Sequence, residues 1–162
     1  MHLQSFDEDS INNIVDKYST MVYKLAFART RNKENAEDIF QEVFLRYVRK
    51  QPKFESETHE KAWFIRVTIN CSKNLFSFLQ KINYDEFDEN LAAKEEPEEF
   101  MEELLEKLTP DYRTVIHLFY YEGYSTDEIS KILNKKGSTV RMQLTRARQL
   151  LKEFIEEAEK NV

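Results

Sequence analysis

Residues 125–152, STDEISKILNKKGSTVRMQLTRARQLLK, contain two helical patterns that meet at a tight connection. The second pattern places five apolar side chains on one stripe, at steps of four, three, four and three: Val140, Leu144, Ala147, Leu151 and Phe154. A polar stripe follows at almost the same steps: Arg141, Thr145, Arg148 and Lys152. From Ile129 to Lys152 there are seven Lys or Arg and no Asp or Glu. A helix with one buried face and one cationic face suits a DNA major groove.

Start and stop signals place the ends of these two helices. Ser125 and Glu128 form the capping box S-x-x-E, which predicts a helix start. Gly137 is expected to end that helix in a left-handed C-cap conformation. Ser138 is then expected to cap the helix that follows.

A third helix is predicted just upstream. Thr109 is its expected N-cap, Pro110 its first-turn proline, and the helix should run through Tyr121 and be closed by Gly123. Three helices with short connections and a basic last helix describe a helix-turn-helix. A small helical bundle with a solvated basic face would show the same pattern, so that alternative stays open.

Composition limits the class of protein. The 162 residues fit one ordinary domain or two small ones, and 41% hydrophobic residues with 13% aromatics suffice for a folded core. Two Gly and three Pro favour long helices over a turn-rich β fold. We expect no membrane span and no secretion signal, and the single cysteine, Cys71, fits a reducing cytoplasm. The three histidines lack metal-ligand spacing, so no cofactor is expected.

The net charge of −6 is unevenly distributed. Residues 1–83 carry 13 basic and 11 acidic side chains, residues 84–103 carry one and ten, and residues 104–162 carry ten and nine. The middle segment has weak periodicity and strong self-repulsion, which predicts an extended linker. We therefore expect an all-α chain with helical domains at 1–83 and 104–162 joined by an acidic linker at 84–103.

The first domain begins with two predicted helices. Residues 9–31 carry an inward apolar stripe, and Asn32 and Lys33 suggest a break. The next helix, at 34–50, has its own apolar stripe: Ile39, Phe40, Val43, Phe44 and Tyr47. Its other side holds Asp38, Gln41, Glu42 and Leu45. Carboxylates, an amide and an exposed leucine could receive a basic protein partner, or simply face solvent.

The last segment of this domain joins a basic face to a tryptophan. Phe54 to Lys61 is predicted to be a loop that runs into a helix start. The following helix is expected to bury one stripe: Phe64, Val67, Cys71, Leu75, Phe78 and Ile82. The opposite face has Arg66, Asn70, Lys73 and Ser77, with Trp63 near the boundary. Such side chains can hold a phosphate backbone and stack on an unpaired base, although Trp63 could also be a half-buried anchor.

Taken together, AEDIFQEVFLRYVRK, F-x8-WFIRVTIN-x2-KN and YRTVIHLFYYEGYSTDEISKILNKKGSTVRMQLTRARQLLK resemble a bacterial RNA polymerase sigma factor of the extracytoplasmic-function (ECF) type. The resemblance covers nearly the whole chain. It implies two helical domains, called regions two and four, joined by a flexible linker. It also implies the partners: core RNA polymerase, through its β′ clamp helices and β flap, promoter DNA, and a possible anti-sigma factor.

The resemblance assigns roles to residues of the first domain. Asp38, Gln41 and Glu42 match the helix that docks on the β′ clamp helices, and Leu45 lies on the same face. The segment that opens and reads the promoter −10 element is matched by Trp63, Arg66, Asn70, Lys73 and Asn74. The loop from Phe54 to Ala62 corresponds to one that receives a flipped base.

The second domain matches the part that reads the −35 element. Ser125 and Thr126 begin the supporting helix, whose backbone N–H groups can hold a phosphate. The recognition-helix side contributes the remaining candidates: Ser138, Thr139, Arg141, Met142, Thr145, Arg146 and Arg148. Met142 stands where the family often has serine, so no promoter sequence is carried over.

Three functions are compared. The first is a cytoplasmic sigma factor that binds core polymerase and directs promoter-specific initiation. The second is a stand-alone helix-turn-helix regulator, which would bind duplex DNA without polymerase, usually as a dimer. The third is a helical adaptor that contacts polymerase without reading promoters. An enzyme is least supported, because Asp38 and Glu42 lie one turn apart without a nearby base, metal ligand or pocket signature.

Overall fold

The computed structural model describes residues 8–82 and 103–160, and every regular element within those two stretches is helical. The chain divides into two compact units, Met1–Leu79 and Gln80–Val162. The all-α prediction is therefore confirmed. The expected linker at 84–103 lies outside the described residues except for Glu103, and the predicted domain limits stay a prediction.

The first unit contains three helices: α1 (Glu8–Thr30), α2 (Lys33–Lys50) and α3 (Glu57–Ile82). The break predicted between the first two is confirmed. Asn32 is the N-cap of α2, and its side-chain oxygen accepts a hydrogen bond of 2.8 Å from the backbone N–H of Asn35. The connection is short, so α1 and α2 pack side by side as an antiparallel pair.

Aromatic rings fill the core of the first unit. Phe64 of α3 is fully buried, and its ring stacks on Tyr18 of α1 at a centroid distance of 4.4 Å. Arg29 is also buried, and its Nε donates a hydrogen bond to the hydroxyl of Ser72. This bond compensates part of the cost of placing a guanidinium in the core. Cys71 is buried close by, and burial raises the pKa of its thiol.

Helix α3 differs from the sequence-based expectation in two ways. It begins at Glu57, so the loop predicted from Phe54 to Lys61 is only its first part. The predicted buried stripe holds at Phe64 and Cys71, but Val67 and Leu75 are half-buried, and Phe78 is 56% exposed. The early part of α3 buries a wider face, including Ile65, Thr68, Ile69 and Ser72. None of the described side chains from residue 73 to 81 is buried.

The second unit opens with a helical turn at 103–106, followed by α4 (Pro110–Ile116). Thr109 is the N-cap of α4, as predicted, and its hydroxyl accepts a hydrogen bond of 3.3 Å from the backbone N–H of Tyr112. The helix then continues as a π-helical turn, His117–Tyr121, which the sequence did not predict.

The remaining helices are α5 (Thr126–Leu133) and α6 (Gly137–Lys160). The predicted capping box is confirmed: the Ser125 hydroxyl accepts from the Glu128 N–H at 3.1 Å, and the Glu128 carboxylate accepts from the Ser125 N–H at 3.0 Å.

The turn between α5 and α6 corrects two expectations. Asn134, with φ of 53°, is the left-handed C-cap of α5, whereas Gly137 is the first residue of α6. Ser138 therefore lies inside α6 and does not cap it. Asparagine tolerates the left-handed region better than most residues, so the chain turns three residues before the glycine.

The apolar stripe predicted for α6 is confirmed. Val140, Leu144 and Ala147 are buried, and Leu151 and Phe154 are half-buried. Helix α6 packs against both α4 and α5, which is the arrangement expected for a helix-turn-helix. Among the helices of residues 8–82 and 103–160, none is long and apolar enough to cross a membrane.

Candidate interfaces for nucleic acid and protein

The exposed side of α6 carries the residues that the sequence singled out for DNA. Six candidates of α6 have exposed side chains: Ser138, Arg141, Met142, Thr145, Arg146 and Arg148. Ser125, before α5, is also exposed, whereas Thr126 and Thr139 are half-buried. Cationic and polar side chains at the start of such a helix can reach base edges in a major groove. Nothing in their burial opposes that role.

A contact between α5 and α6 brings the starts of the two helices together. The Nη1 of Arg141 lies 3.9 Å from the Oδ1 of Asp127, and both side chains are exposed. An exposed pair of this length contributes little stability. The approach of Arg141 to Asp127 does show that the capped start of α5 and the start of α6 lie side by side on one surface.

Arg148 is held by an aromatic residue of the π-helical turn. Its Nε donates a hydrogen bond of 2.5 Å to the hydroxyl of Tyr120. The guanidinium carbon lies 5.3 Å from the Tyr120 ring centroid and 5.2 Å from that of Phe119. The sequence did not indicate Tyr120, because a π turn changes which side chains point toward α6 and leaves no simple signature.

Trp63 of α3 sits in a cluster of aromatic rings. Its ring is half-buried and makes edge contacts with Tyr47, Phe54 and Phe64 at centroid distances of 6.0, 5.8 and 4.9 Å. The cluster fixes the ring and leaves part of it at the surface. Trp63 is therefore the half-buried anchor that the sequence allowed, and its stacking on an unpaired base stays a prediction.

The polar face of α3 continues from Trp63. Asn70, Lys73 and Asn74 are exposed, and Arg66 is half-buried. The helical spacing places these four side chains along the same side of α3. The face can therefore contact a sugar–phosphate backbone over more than two helical turns.

The start of α3 is attached to α1 by polar contacts. The Nζ of Lys17 lies 2.6 Å from Glu57 and 3.1 Å from Glu60, and the Tyr18 hydroxyl donates to Glu60 at 2.5 Å. The bonds to the two glutamates raise the pKa of Lys17, and burial together with the Glu60 bond raises the pKa of Tyr18. These contacts hold the turn that leads to Trp63.

The segment before α3 is ordered by His59. Its Nδ1 accepts a hydrogen bond of 3.3 Å from the backbone N–H of Glu55, and its ring packs edge-on against Phe54 at 5.5 Å. Because Glu57 to Ala62 is helical, the flipped-base loop expected from Phe54 to Ala62 is shorter than predicted.

The outer face of α2 mixes charge with exposed apolar surface. Asp38 and Gln41 are exposed, and Leu45 is 48% exposed. Glu42 is half-buried and pairs with Arg46 at 3.2 Å and with Arg49 at 3.7 Å. An exposed leucine beside carboxylates can form the apolar centre of a protein-binding surface or face solvent, and the structure leaves both alternatives open.

A groove runs beside α6 in the second unit. Its volume is about 720 Å³, and its apolar lining comes from Leu105, Ile116, Leu151 and Ile155. Tyr120 and Arg148 lie at the same groove. Within residues 8–82 and 103–160, no cluster of His, Cys, Asp or Glu could hold a metal ion.

Two family models match the chain in order. The one described as Sigma-70 region 2 matches residues 14–81, and the one described as Sigma-70, region 4 matches residues 101–151. The first falls mainly on α1 to α3, and the second covers α4, α5 and the first part of α6.

Individual relatives agree with the family models. The chain is 28% identical over 159 residues to the ECF RNA polymerase sigma factor SigE of Mycolicibacterium smegmatis, covering 90% of this chain and 62% of that protein. It is 26% identical over 165 residues to the ECF RNA polymerase sigma factor SigX of Bacillus subtilis, covering 92% and 85%.

Among solved structures, the fold is similar to the sigma factor RpoE of Bartonella quintana, crystallised with the anti-sigma factor NepR. The TM-score is 0.74 at 20% identity, covering 90% of this chain and 96% of that one. At this identity the similarity concerns the fold.

Proposed function

Because the chain belongs to the sigma-70 family, as a sigma factor of the ECF type, we propose that it binds core RNA polymerase and directs promoter-specific transcription initiation. The observation that carries this proposal is the order of the two matches: region 2 over residues 14–81 and region 4 over residues 101–151. A stand-alone helix-turn-helix regulator would need only the second. The protein then works in the cytoplasm, as a specificity subunit without a reaction of its own.

For the −35 element, we assign the exposed face of α6 and the start of α5. Arg141, Met142, Thr145 and Arg146 would enter the major groove, since a recognition helix reads bases with its first turns. Ser125, Thr126, Ser138 and Thr139 would contact the phosphate backbone near the two helix starts, and Arg148 would contact DNA further along α6. The adjacency of Asp127 and Arg141 supports one continuous surface.

For the −10 element, we assign the polar face of α3. Trp63 would stack at the edge of the opened duplex, and Arg66, Asn70, Lys73 and Asn74 would hold the strand beside it. Unstacking a base costs a few kcal/mol, which contacts in a pocket offset. The aromatic cluster around Trp63 supports this role, because a fixed ring loses little conformational entropy on stacking.

For core polymerase, we assign two surfaces. Asp38, Gln41, Glu42 and Leu45 on α2 would dock on the β′ clamp helices, with Leu45 as the apolar contact. The apolar residues of the groove beside α6 would receive the β flap, because one side of the groove remains open, whereas Tyr120 and Arg148 at the same groove belong to the DNA-binding surface. The division into domains at 1–83 and 104–162 with an acidic linker at 84–103 is part of the same proposal.

The two DNA-binding surfaces are expected to be weak when the protein is free. The regions 1–83 and 104–162 carry net charges of only +2 and +1. Core polymerase would hold both at fixed positions along the promoter, so that each contact adds to the other through a high effective concentration. An anti-sigma factor covering these surfaces would keep the protein inactive; the sigma factor RpoE of Bartonella quintana forms a complex with the anti-sigma factor NepR.

The proposal is tested by mixing purified protein with core polymerase. We expect the two to co-elute in size-exclusion chromatography and the holoenzyme to start transcription at defined sites on a fragmented genomic library. Leu45→Asp should reduce co-elution, with Asn12→Asp near the start of α1 as an exposed control. If wild-type protein never associates with core polymerase, the proposed function is wrong.

Promoter reading is tested separately from polymerase binding. Arg141→Ala with Arg146→Ala should leave co-elution unchanged and reduce transcription by tenfold or more, because an arginine contact to a base contributes about 1–3 kcal/mol. Lys160→Ala at the far end of α6 is the matched control. Unchanged promoter use by the double variant would favour the adaptor alternative.

A further inference from the structure

Arg148 differs from the other cations of α6 in having a fixed position. Its Nε donates to the Tyr120 hydroxyl at 2.5 Å, and its guanidinium carbon lies within 5.3 Å of two aromatic ring centroids. By contrast, Arg141 has only a 3.9 Å approach to Asp127. The aromatic contacts therefore restrict one guanidinium of the recognition helix much more than the other.

The π-helical turn explains why Tyr120 reaches α6. The backbone N–H of Glu122 donates to the carbonyl of His117, five residues earlier, at 3.1 Å. A π turn contains one residue more than an α turn, so side chains on either side of it are rotated relative to a regular helix. Tyr120 is 59% exposed, and its hydroxyl accepts the hydrogen bond from Arg148.

The bond to Tyr120 uses only one edge of the guanidinium. With Nε occupied, the two terminal nitrogens of Arg148 remain as a fork that matches a phosphate. Arg148 lies two turns after Arg141 and about 10 Å further along the helix axis. The first turns of a recognition helix reach base edges, so this later position suits the DNA backbone.

From this geometry we propose that Tyr120 is a positioning residue, which holds Arg148 ready to bind a backbone phosphate of the −35 duplex. The inference rests on the proposed function and deepens it at one site. Holding the side chain before DNA arrives means that fewer rotamers are lost on binding. A phosphate contact contributes affinity and salt dependence and leaves the preferred sequence unchanged.

The test uses the holoenzyme and a duplex promoter fragment mapped by transcription with the wild-type holoenzyme. Tyr120→Phe removes the hydroxyl and keeps the ring. Tyr112→Phe makes the same change on α4, at a tyrosine that is not among the residues lining the groove with Arg148, and serves as the control. Promoter affinity is measured by fluorescence anisotropy over a series of salt concentrations for the wild type, both tyrosine variants, Arg148→Ala and the double variant Tyr120→Phe/Arg148→Ala.

We expect Tyr120→Phe to weaken promoter binding about three- to tenfold, as for the net loss of one typical hydrogen bond. Arg148→Ala should weaken it further and reduce the salt slope by about one phosphate contact. The double variant should match Arg148→Ala alone, because the tyrosine acts through the arginine. Base preferences at the −35 element should be unchanged in all variants.

Three results would overturn the proposal. In the first, Tyr120→Phe has no more effect on promoter affinity than Tyr112→Phe. In the second, Tyr120→Phe weakens binding by the same factor whether residue 148 is arginine or alanine. In the third, Arg148→Ala changes the base preference at the −35 element. The second result would indicate a structural role, which thermal melting would also reveal. Each can be recognised only when the wild-type holoenzyme binds its promoter, so failure of the proposed function is a separate outcome.

Discussion

The chain has two glycines, and each meets a different requirement. Gly123 follows the π turn with φ of +77°, and a Cβ added there would meet nothing within 4 Å, so only the backbone conformation calls for glycine. Gly137 begins α6, and a Cβ there would come within 3.0 Å of the Arg141 Nη1. The first glycine forms a turn, and the second leaves room for a proposed DNA-binding side chain.

Replacing each glycine by alanine should separate stability from promoter use. Gly123→Ala is expected to lower the free energy of unfolding by about 1–2 kcal/mol, because a left-handed conformation disfavours a Cβ. Gly137→Ala should not destabilise the protein, since alanine favours a helix, but it should displace the Arg141 guanidinium and reduce transcription. Urea unfolding and holoenzyme transcription measure the two effects. If Gly137→Ala destabilised the protein as much as Gly123→Ala and left transcription normal, Gly137 would not be needed to make room for Arg141.

At the level of helices, the start of α5 depends on a charged cap. Hydrogen bonds from the backbone and side chain of Ser125 lower the pKa of Glu128 below its usual value. A carboxyl whose pKa is lower in the folded state contributes stability above its unfolded pKa of about 4.3. That contribution disappears as the pH falls through the lower, folded pKa.

Glu128→Gln should therefore make the stability of the protein depend less on pH in the acid range. We expect the variant to be less stable than the wild type near neutral pH and the difference to shrink as the pH falls below about 4. Thermal melting at a series of pH values measures it. Glu156→Gln, an exposed carboxylate in the later part of α6, is the control. A difference that stays constant down to low pH would mean that the Glu128 charge is irrelevant to the cap.

The helix starts that could be predicted are those with local signals. Thr109 with Pro110, and Ser125 with Glu128, specify their caps within a few residues, and both were correct. The start of α3 at Glu57 was missed because its first turns are polar and lack an apolar stripe. Ser56 caps this start, since its hydroxyl accepts a hydrogen bond of 3.1 Å from the His59 backbone N–H, and Glu57 also binds Lys17, forty positions earlier in the chain. Such a long-range contact leaves no trace in local periodicity.

Two further features depended on packing. Asn134 and Gly137 both tolerate a left-handed conformation, and composition alone could not decide which of them ends α5. The stripe of α3 failed at Phe78 because periodicity identifies an apolar side and does not show whether a neighbour covers it. The candidate side chains of α6 were placed on an exposed face correctly, whereas Tyr120 became visible only through the π turn.

At the scale of the whole molecule, the distribution of charge predicts dependence on polymerase. The free protein, with a net charge of −6, should show no sequence-specific gel shift on its promoter duplex at physiological salt. Addition of core polymerase should produce a specific shift, because both DNA-binding surfaces are then held in place. A specific shift by the protein alone, as a symmetric dimer, would instead support a stand-alone regulator.

The location of Cys71 has a consequence for its reactivity. It is the only thiol of the chain, it lies in the core of the first unit, and burial raises its pKa, so little reactive thiolate forms. Peroxide and disulfide reagents attack thiolates that they can reach. We therefore expect Cys71 to resist such reagents as long as the first unit stays folded.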